Sequence, residues 1–101
     1  MAAPAAANHL LLTACIEEIA ALRFTPAGLP AIDLRLDHES TQDEAGQTRQ
    51  VKAALKAVAF GAVAERLARQ ALGSQWRFQG FLANPRSGKH PVLHVTDFQQ
   101  D

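Results

Sequence analysis

Apolar and polar side chains alternate along most of the chain with a period of two, the period of strands. Leu10, Leu12, Ala14 and Ile16 fall on one face, and Leu11, Thr13, Cys15 and Glu17 on the other. Both faces are rather apolar, which predicts a strand covered on both sides. Glu17 and Glu18 interrupt the pattern, so a bulge is expected there before the strand resumes through Phe24. Pro26, Gly28 and Pro30 read as a turn, because proline presets φ and glycine admits a positive φ. Residues 31–38 then alternate cleanly, with Ile32, Leu34 and Leu36 inward and Asp33, Arg35 and Asp37 outward.

Glu39 to Thr48 reads as a polar loop with Gly46 near its tip. Residues 49–60 alternate again, with Val51, Ala53, Leu55, Ala57 and Ala59 on one face and Lys52, Lys56 and Phe60 on the other. After Gly61 the period changes to that of a helix. Val63, Leu67 and Ala71 make its apolar side, Arg66 and Arg69 its solubilising polar side, and Gly73 its C-terminal stop. Residues 75–83 form a strand with Trp76 and Phe78 inward, both read as core, and Phe24 is read the same way. Asn84 to His90 is a hairpin loop. Residues 91–99 close the chain, with Val92, His94, Thr96 and Phe98 alternating against Leu93, Val95 and Asp97. The order β-β-β-α-β-β predicts an all-β fold: a five-stranded Greek-key OB-fold barrel with one short helix between strands 3 and 4. Residues 1–7 are expected to be a flexible tail and residues 8–101 the OB-fold domain.

Composition narrows the function. Hydrophobic residues make up 48% of the 101 positions, enough for one packed domain and too many for a disordered chain. A single cysteine, Cys15, excludes an internal disulfide framework and suits a reducing cytoplasm. No apolar run approaches the roughly 18 residues that span a membrane. Leu12-Thr13-Ala14-Cys15 mimics a lipoprotein cleavage site but lacks a basic flank and a long apolar run.

Ten basic and ten acidic residues cancel, yet unevenly. Residues 1–48 carry a net charge of −5 and residues 49–90 a net charge of +7. A neutral protein with such a division can present a basic face to phosphate, provided that folding does not interleave the two halves.

Chemistry that makes or breaks bonds is not visible. His90 and His94 have helical metal spacing, but in a strand they stand roughly 13 Å apart. No metal site and no cofactor are therefore expected. The serines lack a nucleophile-elbow context, and the glycines fit no phosphate-cradling loop.

Several segments resemble a known family. They are Asn8-His9-Leu10-Leu11-Leu12, Thr25-Pro26-Ala27-Gly28-Leu29-Pro30, Leu36-Asp37-His38-Glu39-Ser40 and the stretch from Gln42 through Glu44-Ala45-Gly46 to Arg49-Gln50. Together they are similar to the primosomal replication protein N (PriB) family of bacterial replication restart. Ala57-Val58-Ala59-Phe60-Gly61 and Gly73-Ser74-Gln75-Trp76 also resemble the related bacterial single-stranded DNA-binding proteins.

The resemblance implies a non-enzymatic, cytoplasmic OB-fold homodimer that binds single-stranded DNA. It implies further that the dimer links the restart helicase to a loading factor of the primosome. Matching positions nominate Arg23, Arg49, Lys52, Lys56 and Phe60, with Arg86, Lys89 and His90 in the loop before the last strand; Phe60, ending a strand beside Gly61, reads more readily as core than as a base platform. Lys52 and Gln47 stand where enteric members carry stacking aromatics, and Glu39 stands where they carry a basic residue. Weaker, more electrostatic binding is expected from those exchanges. They also motivate the alternative, an interaction module that docks on the helicase with little DNA affinity of its own.

Overall fold

A computed structural model describes residues 6–100; most of the expected 1–7 tail, residues 1–5, lies outside the described residues, as does Asp101. Seven elements follow in order. They are β1 (Leu10–Ile19), β2 (Arg23–Phe24), β3 (Pro30–Glu44), β4 (Gln47–Phe60), α1 (Ala62–Leu67), β5 (Gln75–Ala83) and β6 (Val92–Gln99).

Five of the strands close into a barrel. β5 pairs with β1 and β6, β6 pairs in parallel with β4, β4 pairs with β3, and β3 returns to β1. This is the OB-fold connectivity, with the helix between the third and fourth barrel strands. β2 is an extra two-residue strand laid on Pro30 and Ala31. Inside sit Ile16, Ile32, Leu36, Leu67, Phe78 and Leu93, all fully buried. Phe98 meets Trp76 edge-on at 5.0 Å and Phe78 face-on at 6.2 Å, so of the predicted core aromatics of β5 Phe78 is in the core and Trp76 packs half-buried against it. Phe24 is not in the core; on the edge strand β2 it stays 65% exposed.

The expected bulge is present, between Ile16 and Glu18. Pairing with β3 resumes after it at Glu18 and Ile19, where the strand ends, sooner than the alternation suggested. At the other end of β1 the Asn8 side chain does the work of a backbone rung. Its amide nitrogen donates to the Leu82 carbonyl at 2.8 Å, and its oxygen accepts from the Leu82 N–H at 2.9 Å.

Further expectations need correcting. The polar segment 39–48 is no loop: β3 and β4 stay paired out to Glu44 and Gln47. A two-residue turn closes them, with Ala45 at φ 54° and Gly46 at φ 78°, the left-handed pair that a tight hairpin needs. The polar composition reflects a ribbon that projects into solvent beyond the barrel. The ribbon stretches the molecule to 49 × 42 × 26 Å. A lone two-stranded ribbon is marginal in water, and cross-strand polar contacts hold this one. Lys52 pairs with Glu39 at 3.2 Å and Arg49 with Glu44 at 2.7 Å. At its base His38 Nδ1 donates to the Thr13 carbonyl at 2.6 Å, while the Ser40 hydroxyl lies 2.7 Å from Nε2.

The helix is also shorter than its pattern, ending at Leu67 rather than near Gly73. The chain must turn back to the barrel, where the Gly73 N–H donates to the Ile16 carbonyl at 2.8 Å. Arg66 is more than a solubilising charge. Its guanidinium reaches Asp97 and the Phe98 carbonyl, both at 3.2 Å, and lies 4.5 Å above the Phe98 ring.

Finally, the alternation in β6 slips. Leu93 and Val95 face the core, and so does Phe98 three residues later, because the pairing with β5 shifts register at Thr96. His94 and Val92 therefore face outward with the rest of the β4 outer wall.

Candidate nucleic-acid interface

β4 places Lys56, Val58 and Phe60 on the outside of the barrel, since Ala57 and Ala59 point into the core. The neighbouring strands extend this wall. Val58 pairs with His94 of β6, and His94 pairs with Phe81 of β5. The His94 ring is nearly parallel to Phe81, with centroids 4.9 Å apart and planes at 13°. Phe60 stacks on the same ring at 6.0 Å and 29°. Phe60 is 41% exposed, not the core residue that its place beside Gly61 suggests, and Phe81 is 38% exposed. Two partly open phenyl rings with an imidazole between them offer π-faces to a flat ligand.

About 7 Å along β4, two residues from Val58, comes a cationic row. Lys56 pairs directly with Arg35 of β3. Two like charges opposite one another destabilise a sheet unless an anion offsets them. Arg35 and Lys56 also line an open groove of about 380 Å³ with Lys89 and His90 of the β5–β6 loop. Cations from the middle strands and from the loop thus converge beside the aromatic row.

Lys56, Phe60, Lys89 and His90 are brought to this wall, whereas the other nominated residues sit elsewhere or are already engaged. Arg23 makes two hydrogen bonds to Asp33, at 2.8 and 3.2 Å. Arg49 and Lys52 are on the ribbon, each beside a carboxylate. Lys52 borders a different groove, with His38, Glu39 and Cys15. Arg86 is exposed in the loop.

Three residues of the wall escaped sequence reasoning: Arg35, Phe81 and His94. Arg35 lies in the acidic half of the chain, and only the β3–β4 register sets it against Lys56. Its outward place in the 31–38 alternation was the available signal. Phe81 and His94 were each seen on a strand but not as neighbours.

Carboxylates shape the rim. Glu17, the extra residue of the β1 bulge, forms an ion pair with Arg35 at 3.3 Å. Its carboxyl is held above the ordinary value of 4.5 by lost solvation, and then by a hydrogen bond and charge repulsion from Asp37. Glu18 adds to the rise and Arg35 opposes it. A carboxyl with a raised folded-state pKa binds its proton more tightly when folded, so its contribution to stability falls as pH climbs through and above 4.5. Glu17→Gln is expected to flatten the fall in unfolding free energy between about pH 4.5 and 7. Urea titrations at stepped pH check this; a steeper fall in the variant would contradict it.

Comparisons with known proteins agree with this geometry. Residues 8–97 match the model of a family described as another single-strand binding protein family. Over 89 residues the chain is 49% identical to replication restart protein PriB of Bordetella pertussis, covering 87% of this chain and 83% of that protein. Among solved structures it resembles PriB from Ralstonia solanacearum with a TM-score of 0.86 and 35% identity, over 94% of this chain and 98% of the other. The SSB domain of a Synechococcus protein shares the fold at a TM-score of 0.73 and 24% identity, over 97% of this chain and all of that domain.

Proposed function

The chain belongs to a single-strand binding protein family and, within it, to the replication restart proteins called PriB; on that premise we propose that it is a non-enzymatic accessory protein of the cytoplasmic replication-restart primosome that binds single-stranded DNA. The observation that carries the proposal is the outer wall of β3, β4, β6 and β5. There a stacked aromatic row, Phe60, His94 and Phe81, lies beside a cationic row, Arg35 and Lys56, with Lys89 and His90 at its edge. Aromatic platforms beside a basic track are what an unpaired strand needs: bases stack, and phosphates meet cations.

Fluorescence anisotropy with a labelled oligothymidylate, at several salt concentrations, tests this. Binding is expected with log K falling by about 0.7 per log unit of salt for each phosphate neutralised. Lys56→Ala with Lys89→Ala should make that slope shallower by about 1.4, and Lys52→Ala should leave it nearly unchanged. No binding at ~50 mM salt, where electrostatic contacts are strong, rejects the reading.

A second copy completes the assembly in this reading. Between Leu10 and Leu12, β1 pairs with β5 and not with β3, because the ladder with β3 begins at Cys15. Leu11 is exposed on this stretch. An apolar edge over Leu10–Leu12, short of the Thr13 carbonyl that His38 engages, invites a twofold-related strand, and a purely monomeric mass by sedimentation would contradict it.

The same family membership supports a bridging role between the restart helicase and a loading factor as part of this proposal. One observation favours the alternative, a helicase-docking module with little DNA affinity. On the ribbon, the nominated cations Arg49 and Lys52 are neutralised by Glu44 and Glu39. Helicase capture that survives nuclease treatment, together with flat oligonucleotide titrations, would select it.

A further inference from the structure

We propose that Glu17 is an internal stand-in for a DNA phosphate: it occupies the Arg35 guanidinium in the free protein and yields it to a phosphodiester of bound single-stranded DNA. The inference rests on the DNA-binding reading and adds a residue and a competing contact to its site.

The geometry supplies the reasons. Arg35 is locked by register opposite Lys56, so the pair concentrates positive charge on the groove that also holds Lys89 and His90. Such a pair favours an anion in the groove. The anion present is Glu17, placed there by the β1 bulge, which re-aims one side chain relative to the regular strand.

The contact is the longest of the ion pairs among the described residues, although its side chains are no more exposed than those of the others. It is a single approach of 3.3 Å, with the two side chains 43% and 42% exposed. Arg23 instead holds both oxygens of Asp33. An exposed, single-point pair exchanges cheaply with another anion.

Lost solvation and the neighbouring Asp37 raise the Glu17 carboxyl and so work against the charged form that Arg35 holds. An arriving phosphate would add to that repulsion. The other charges around Arg35 are Glu18, its partner across β1 and β3, and Asp33, which lines the adjoining groove. Asp33 is engaged by Arg23. That leaves Glu18 as the carboxylate from which Glu17 must be told apart.

The experiment is a double-mutant cycle on the full chain, read by oligothymidylate anisotropy at ~50 mM salt, where charge contacts are least screened. Glu17→Gln should bind about two- to fivefold more tightly than the unaltered protein. Arg35→Ala should bind more weakly, with a salt slope shallower by about 0.7. In the Arg35→Ala background, Glu17→Gln should have no further effect, because the competitor has lost its contested partner. Glu18→Gln removes the same charge without breaking the ion pair and should change binding little.

Equal tightening by Glu17→Gln with and without Arg35, or equal tightening by Glu18→Gln, would mean general charge repulsion and overturns the proposal. So does an Arg35→Ala protein that binds like the original, and this result leaves the DNA reading standing. Failure of the unaltered protein to bind removes both. Arg35→Gln and thermal melts of each variant guard against a fold defect being mistaken for a binding defect.

Discussion

Gly80→Ala is expected to unfold the protein or leave it molten, with a loss of at least about 3 kcal/mol, the upper end of overpacking penalties. β6 comes unusually close here, because its register with β5 shifts between Gln79 and Gly80. A Cβ at position 80 would fall on the carbonyl oxygen of His94 and stand 2.8 Å from its carbonyl carbon. Those atoms are backbone, tied into the β5–β6 ladder, and cannot rotate aside as a side chain would. A domain of this size is stable by only about 5–15 kcal/mol, so the clash takes a large share. Thermal unfolding by circular dichroism, with Trp76 near-ultraviolet signal as the probe of packing, measures it. A wild-type melting temperature for Gly80→Ala would mean that the two strands are not in this register.

The largest expected effect on binding comes from the outer wall. Phe60→Ala combined with Phe81→Ala should weaken oligonucleotide binding by about 100-fold, given stacking worth ~1–3 kcal/mol per base. The salt slope should stay the same, because no charge is removed. This separates the pair from Lys56 and Lys89, whose loss changes the slope. Both rings are well exposed and outside the core cluster, so the melting temperature should fall only slightly. Unchanged affinity in a folded double variant would remove the aromatic row from the site and shift weight to the helicase-docking reading.

The two effects share one cause. The closeness of β5 and β6 that requires glycine at 80 also lays His94 against Phe81. A lesion at Gly80 should therefore disturb the site as well as the fold.

Much of the architecture was legible because strand periodicity is a local signal. The inward set Ile32, Leu34 and Leu36, the Pro26–Pro30 turn and the bulge at Glu17 were all readable from adjacent residues. Misreadings arose where long-range pairing overrode local character. Segment 39–48 looks like a loop because no side of it meets a core, yet backbone pairing with β4 keeps it extended. Helical spacing continues past Leu67, but the demand that Gly73 reach Ile16 ends the helix early. Thr96 offers no local sign of the register shift that turns Phe98 inward.

The candidate site divides in the same way. Lys56, Phe60, Lys89 and His90 were nominated from the sequence and do share one wall. Arg23, Arg49 and Lys52 are nominated as well, and folding gives each of them a carboxylate. Where no bulge intervenes, alternation along the chain determined which side of a strand a residue occupies, for that depends only on the pleat. Which strands lie side by side, and so whether a cation meets Glu17, a ring or open water, was decided by barrel closure. Closure joins residues far apart in sequence through backbone hydrogen bonds whose register no single strand contains.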